Sequence, residues 1–283
     1  MIIIIMKKRL TISIDEKILK NVDSIVDRIY IRNRSQAFEF LVEKTLGENK
    51  VAVILATGPS HQLKISKNEY RPTAKIKDTT VIELALKNLK ENGFKNIFIV
   101  GEQPILASIF NLIGDGGRYG MKIKFIEDEN PPGTAVSLRH LKGEIKSTFL
   151  VIFGDIIFNK MDIKNLWSHH FKHPAITTLM VTSSILTRGG STIPIKKSPL
   201  KVEGNTVIKV FPKLTKPLEE LRDSAVIFSS IFVTEPEIME YGGNWLENDV
   251  FPKLAEKGFL YSYLSSEEEI HIHSKEDARF VKI

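Results

Sequence analysis

Val51-Ala52-Val53-Ile54-Leu55-Ala56, running into Thr57-Gly58-Pro59-Ser60-His61-Gln62-Leu63, is the stretch on which the reading of the fold turns. Six consecutive apolar residues closed by glycine and proline predict a strand buried on both faces, as in parallel sheets. Downstream, residues 81–92 have helical spacing and stop at Gly93. A strand follows at 96–101, then a helix near 103–113, a strand at 121–127, a helix near 133–142 and a strand at 149–153. This alternation predicts an α/β, Rossmann-like, doubly wound and mostly parallel sheet. Beyond about residue 175 the pattern becomes β-rich, with strands expected near 176–183, 201–211, 225–233 and 259–264. No internal repeat or low-complexity tract interrupts it.

Upstream of Val51 the pattern differs. Residues 8–46 read as a short strand and two helices, closed by Leu46-Gly47-Glu48-Asn49-Lys50, a helix stop and linker. Two domains are therefore expected, 1–47 and 48–283. The 283 residues are 42% hydrophobic and 26% charged, enough for a core without disulfide or metal staples. The absence of cysteine excludes thiol catalysis, disulfide scaffolds and zinc ribbons. The formal net charge of +6 is uneven: residues 1–50 hold 10 Lys/Arg against 7 Asp/Glu, and the other 233 hold 30 against 27. Half the excess lies in the small domain, which favours an anionic partner there. The apolar run Met1 to Met6 is too short to span a membrane, and it precedes Lys7-Lys8-Arg9 where a signal peptide would follow the basic residues. It reads as a loose end, or as an over-extended start before Met6, and the expectation is a cytoplasmic protein with no membrane partner.

In the small domain, Leu10, Ile12 and Ile14 fall on one side of the predicted strand 8–14, and Arg9, Thr11 and Ser13 on the other. Asp15 opens a helix whose apolar stripe is Ile18, Leu19, Val22, Ile25, Val26 and Ile29. Asn33-Arg34-Ser35-Gln36 opens a second, with Phe38, Leu41, Val42 and Leu46. So short a segment cannot bury this surface alone, whereas two copies can pair their strands over four helices. R-L-T-I-S-I-D and N-R-S-Q-A closely resemble the ribbon-helix-helix (β-α-α) family of DNA-binding proteins. The resemblance implies a homodimer, or a higher even oligomer, on double-stranded DNA. It places Arg9, Thr11 and Ser13 in the major groove and a phosphate on the N–H groups near Asn33, Arg34 and Ser35. The other reading is a dimerisation module whose outward face is only solvated.

From residue 51 the chain resembles the sugar-phosphate nucleotidylyltransferases, of nucleotide-diphospho-sugar transferase fold. The landmarks are V-A-V-I-L-A (51–56), V-I-E-L (81–84), N-G-F-K-N-I-F-I-V (92–100), G-D-G-G-R-Y-G (114–120), P-P-G-T-A (131–135), F-L-V-I-F-G-D (149–155), V-F-P-K-L-A-E-K-G (250–258) and K-E-D (275–277). The resemblance implies a ligand-binding loop at Ala56, Thr57 and Gly58, a base-side turn at Gly133 and Thr134, and Asp128 where the family reads the base with glutamine. It implies a metal ligand at Asp155 and a phosphate-side lysine at Lys213, the one catalytic candidate if activity remains. Against the family pattern, the loop arginine is Gln62, the Pro-Lys pair is Pro72-Thr73 with Lys75 out of register, and the second metal carboxylate aligns with His271. Asp155 and His271 could hold a divalent cation, Mg²⁺ or Mn²⁺, beside a bound nucleotide; no other cofactor is expected. Imidazole is a poor Mg²⁺ ligand and suits softer metals. Each lost charge-stabilising donor costs about 2.7–4 kcal/mol.

The expectation is therefore a dimeric DNA-binding transcriptional regulator whose non-catalytic large domain senses a nucleotide or sugar nucleotide. The alternative is a working sugar-phosphate nucleotidylyltransferase, dimerised or autoregulated by its first module. A third reading makes the large domain a recruiting scaffold. His169, His170 and His173 read as structural or solvated, and His271 and His273 as sharing one side of a strand.

Overall fold

The Val51–Ala56 run (β1) lies in the middle of a sheet, bonded in parallel to Asn96–Gly101 (β2) on one side and Phe149–Phe153 (β4) on the other. Lys122–Glu127 (β3) extends the parallel set beyond β2. These relationships come from a computed structural model that describes residues 11–26, 31–38, 41–42, 50–67, 69–129, 132–183, 198–211 and 225–281. The chain divides into two compact units, Met1–Glu48 and Asn49–Ile283.

The apolar run of β1 is explained by burial on both faces. Ala52, Ile54 and Ala56 pack with Ile97, Ile99, Leu150 and Ile152 beneath helices α3 (Val81–Glu91) and α4 (Gln103–Ile113). Val53 and Leu55 join the opposite core with Val100, Val151, Phe232 and Phe251. α3 begins where Thr80 and Glu83 form a reciprocal capping box, each satisfying the other's backbone N–H. A preceding four-residue turn, Ser60–Leu63 (α2), follows β1 directly.

Past β4 the sheet turns antiparallel. After Ile156–Ile157 (β5) and helix Ile163–His170 (α6), Thr177–Ser183 (β6) runs antiparallel to Ala225–Thr234 (β9), which itself runs antiparallel to β4. The expected single strand at 201–211 is instead a hairpin, Pro199–Glu203 (β7) and Thr206–Val210 (β8). Gly204, at φ +58°, makes the reversal that an unbroken strand would not allow. The helices α6 and Phe251–Glu256 (α7), not assigned from sequence, cover the sheet, and Leu260–Ser265 (β10) pairs in parallel with β6. A third, smaller core of Ala74, Ile76, Val81, Ile157, Ile272 and Ala278 ties Ile270–His271 (β11) and Lys275–Phe280 (α8) to the chain around β5.

In the first unit, residues 11–15 belong to no strand, and 8–10 lie outside the described residues. Asp15 caps a helix at Glu16–Ser24 by accepting from the Lys17 N–H at 2.8 Å. Residues 34–38 and 41–42 are helical, and Asn33 Oδ1 accepts from the Gln36 N–H at 3.0 Å. Val22 and Ala37 are buried, while Ile12, Ile18 and Val42 are exposed. Ile29, Leu46 and the linker at 46–49 lie outside the described residues. Among the described residues no helix is long and apolar enough to cross a membrane.

Candidate functional site

The C-terminal ends of β1, β2 and β4 converge on Ala56. A Cβ on Gly101 would lie 2.7 Å from the Ala56 carbonyl oxygen, and one on Gly154 would lie 3.1 Å from the Ala56 Cα. Glycine at both positions is what lets the three strand ends close up, and the region just outside such carboxyl ends is where open α/β sheets bind ligands. Thr57 and Gly58, both half-buried, lead from Ala56 into α2. The first N–H of that turn, Ser60, already donates to Glu102 Oε2 at 2.9 Å. A protein carboxylate thus already occupies that donor.

Asp155 follows Gly154 at the end of β4, and its carbonyl oxygen accepts from the Ile272 N–H at 2.9 Å. Its Oδ2 meets Arg71 Nη1 at 3.3 Å and His273 Nδ1 at 3.9 Å. Arg71 also donates from Nη2 to the Gln62 carbonyl at 3.2 Å, so its guanidinium joins the β1 loop to the β4 end. Its Nε is buried and has no acceptor among the described residues. His271 donates from Nε2 to Glu269 Oε1 at 3.0 Å, and its ring stacks on that of His273 with centroids 5.5 Å apart. Burial lowers the pKa of His273, with repulsion from Arg71 and His271 working against attraction to Asp155 and Asp277.

The other wall begins at the end of β3. Asp128 is buried, its N–H bonded to the Gly101 carbonyl at 3.0 Å. Its Oδ1 accepts from His140 Nε2 at 3.0 Å, and its Oδ2 is buried with no partner among the described residues. Gly133 and Thr134 open helix Thr134–Arg139 (α5), but their contacts are internal. A Cβ on Gly133 would lie 2.3 Å from the Asn244 carbonyl oxygen. That oxygen accepts from the Ala135 N–H at 2.9 Å, and Thr134 Oγ1 accepts from the Leu246 N–H at 3.1 Å. The turn expected to face a ligand is therefore also a joint between α5 and the 244–247 segment.

Of the remaining candidates, Lys213 and Arg9 lie outside the described residues. Thr11, Ser13, Asn33, Arg34 and Ser35 are exposed. The Arg34 guanidinium is engaged by both oxygens of Asp23, at 2.6 and 2.8 Å, which links the two helices and leaves less of it for a phosphate. His170 is buried between Thr178 Oγ1 at 2.8 Å and Glu235 Oε1 at 3.0 Å. His169 packs against His173 and Tyr263, and His173 stacks on Tyr261. These are structural contacts. Arg71 and Glu102 were not candidates from sequence, since only tertiary contact brings them to the crevice.

The residues present do not fit a divalent cation. Mg²⁺ asks for an octahedral set of oxygens at about 2.0–2.1 Å. Here Asp155 is engaged by a guanidinium, and His271, at the position aligned with the second carboxylate, turns to Glu269. Among the described residues no group of three or more His, Asp or Glu side chains is placed to hold a metal.

Comparison with known proteins agrees with this architecture. The family model described as nucleotidyl transferase matches residues 51–188. A UTP–glucose-1-phosphate uridylyltransferase of Synechocystis sp. is 26% identical over 230 residues, covering 74% of this chain and 56% of that protein. A mannose-1-phosphate guanylyltransferase of Mycobacterium tuberculosis is 21% identical, covering 76% of this chain and 58% of the relative. The chain thus spans little more than half the length of either relative. Among solved structures, a Bacillus anthracis protein assigned as a glucose-1-phosphate thymidylyltransferase superposes with a TM-score of 0.69 at 16% identity, covering 83% of this chain and 97% of that one. HddC from Yersinia pseudotuberculosis superposes with a TM-score of 0.62 at 18% identity, covering 81% and 96%. None of these comparisons speaks for a DNA-binding first unit. The large unit is an α/β fold of nucleotide-diphospho-sugar transferase type, carrying a nucleotidyl transferase domain match over residues 51–188.

Proposed function

We propose that residues 49–283 join a nucleoside triphosphate to a sugar phosphate in the crevice above β1, β2 and β4, releasing pyrophosphate. The observation that carries this reading is the Arg71–Asp155 pair at the strand ends, with Arg71 also holding the β1 loop through Gln62. An oxygen of the sugar phosphate attacks the α-phosphorus of the triphosphate. A new P–O bond forms as the bond from that phosphorus to the α–β bridging oxygen breaks, and pyrophosphate leaves with the electron pair. Arg71 supplies fixed positive charge beside the transferring group, and Asp155 orients it. Lys213 is the candidate for a second cation. Ala56, Thr57 and Gly58 would carry the phosphates, with Asp128, Gly133 and Thr134 on the base side. Relatives that are uridylyl- and guanylyltransferases support the reaction class and leave the base open.

The test is pyrophosphate release across pairs of nucleoside triphosphates and sugar 1-phosphates. Arg71→Ala should slow it by about 10²–10³-fold, as removal of a transition-state donor does. Release at the enzyme-free rate with every pair would overturn the assignment.

A second reading is favoured by Ile12, Ile18 and Val42, apolar side chains left exposed among the described residues of the first unit. In it, residues 1–47 form a ribbon-helix-helix dimer on double-stranded DNA, with Arg9, Thr11 and Ser13 reading the groove. The protein is then a cytoplasmic regulator as well. Arg9→Ala should weaken specific binding by about 1–3 kcal/mol in a gel-shift titration. Unchanged affinity would remove that role.

A further inference from the structure

We infer that Arg71 takes the place of a divalent cation at the end of β4, so that anionic ligands bind this crevice without metal. The inference rests on the crevice being a nucleotide or sugar-nucleotide site, as proposed above. The cation position is filled by the chain itself: Arg71 Nη1 lies 3.3 Å from Asp155 Oδ2. The backbone that carries Arg71 is fixed. Arg71 begins a turn whose next three residues, Pro72, Thr73 and Ala74, are buried, and its carbonyl accepts from the Ala74 N–H at 3.2 Å. The second acid that a metal would need is absent from the pairing. His271 stands there and donates to Glu269, while the neighbouring imidazole, His273, lies 3.9 Å from Asp155.

Arg71 also keeps capacity for a ligand. A guanidinium has five N–H donors in a planar fork. One N–H of Nη1 serves Asp155 and one of Nη2 serves the Gln62 carbonyl, which leaves a second N–H on each nitrogen of a side chain that is 23% exposed. Such a pair can donate to two oxygens of an incoming phosphate in bidentate geometry. The carboxylate of Asp155 then acts as a brace for the arginine and not as a ligand for metal. The charge offered to the phosphate is permanent, because a guanidinium does not deprotonate in proteins.

The experiment is isothermal titration of the full chain with UDP-glucose and GDP-mannose, first in chelator-treated buffer and then with Mg²⁺ or Mn²⁺ added. Sugar nucleotides are suitable probes because their diphosphate diesters hold Mg²⁺ weakly. The expected result is a Kd equal within about twofold in the two buffers. Arg71→Ala should weaken binding by about tenfold or more in both, and Arg71→Lys should recover part of the loss by keeping charge without the fork. Thermal melts of each variant establish that it is folded. Tightening by about tenfold or more on adding metal overturns the inference and leaves the nucleotidyltransferase-type reading in place. Unchanged affinity in folded Arg71→Ala overturns it as well. Absence of binding to the unaltered chain in both buffers overturns the functional reading, and the inference with it.

Discussion

Asp155 and Asp128 hold comparable topological positions, each just beyond the C-terminal end of a parallel strand, yet their chemistry differs. Asp155 is 17% exposed and braced by a permanently charged guanidinium, whereas Asp128 is 1% exposed and leans on one imidazole. The path of the chain beyond each strand makes the difference. After β4 the chain enters β5, whose pairing with β11 brings Ile272 and His273 up to Asp155. After β3 the chain leads on to α5 and, among the described residues, His140 is the side chain that reaches back to the acid. One carboxylate is built into a network that joins two loops. The other is buried with an unpartnered oxygen, a costly arrangement that the surrounding packing sustains.

The largest effect expected is on the support of the Asp155 side. Ile272 is fully buried in the small third core, and its N–H bonds the Asp155 carbonyl. Ile272→Ala should cost about 2–5 kcal/mol in urea unfolding and weaken sugar-nucleotide binding. A loss under about 1 kcal/mol would mean that this core does not position the acid. Next, His140→Ala should destabilise by about 1–3 kcal/mol, because it leaves Asp128 buried with neither oxygen paired. The value sits at the lower end of what breaking a buried pair costs because His140 is 44% exposed and water can enter. Adding Asp128→Asn to that variant removes the stranded charge and should restore stability to within about 1 kcal/mol of the parent. If the double variant is no more stable than His140→Ala, the cost lies in packing around His140 and not in the charge.

A third acid sharpens the contrast through pH. Burial raises the pKa of Glu235, but hydrogen bonds from His170 and Thr148 outweigh it and hold the carboxyl below the ordinary value of 4.5. A depressed carboxylate contributes stability that is present above its unfolded pKa and lost as pH falls through the folded one. Thermal melts of the parent should therefore decline below about pH 4.5 more steeply than those of Glu235→Gln. Parallel curves for the two proteins would show that this acid is not among the groups governing acid unfolding.

The parallel half of the fold was legible because its signals are local. The expected strands at 96–101 and 149–153 and the helix at 103–113 match β2, β4 and α4. Burial of the strands leaves apolar runs, and Pro104 marks the start of α4. The β7–β8 hairpin was not legible as such, since one glycine turns what otherwise reads as continuous strand residues. Asp155 was identifiable as a strand-end acid, but Arg71 was not, because its role depends on a partner far away in the chain. Likewise Gly133 and Thr134 read as a ligand turn, while their bonds to Asn244 and Leu246 join segments no local pattern connects. The exposed Ile12 and Ile18 of the first unit match a stripe whose covering surface is not within the unit's described residues.

The place of β1 in the sheet has a consequence for the order in which a ribosome can finish this protein. Val51 is hydrogen-bonded alongside both Asn96 and Phe149, so the first strand of the large sheet to be synthesised lies inside it, with a later strand on each side. Through most of the unit's first half, the nascent chain carries an apolar strand with at least one bare edge. Non-local parallel pairing of this kind is slow to form and invites edge-to-edge association meanwhile. Synthesis at about 5–20 residues per second sets the length of that exposure. Pauses before residue 149 would prolong the hazard, and those after residue 153 would come once the central strand could be enclosed.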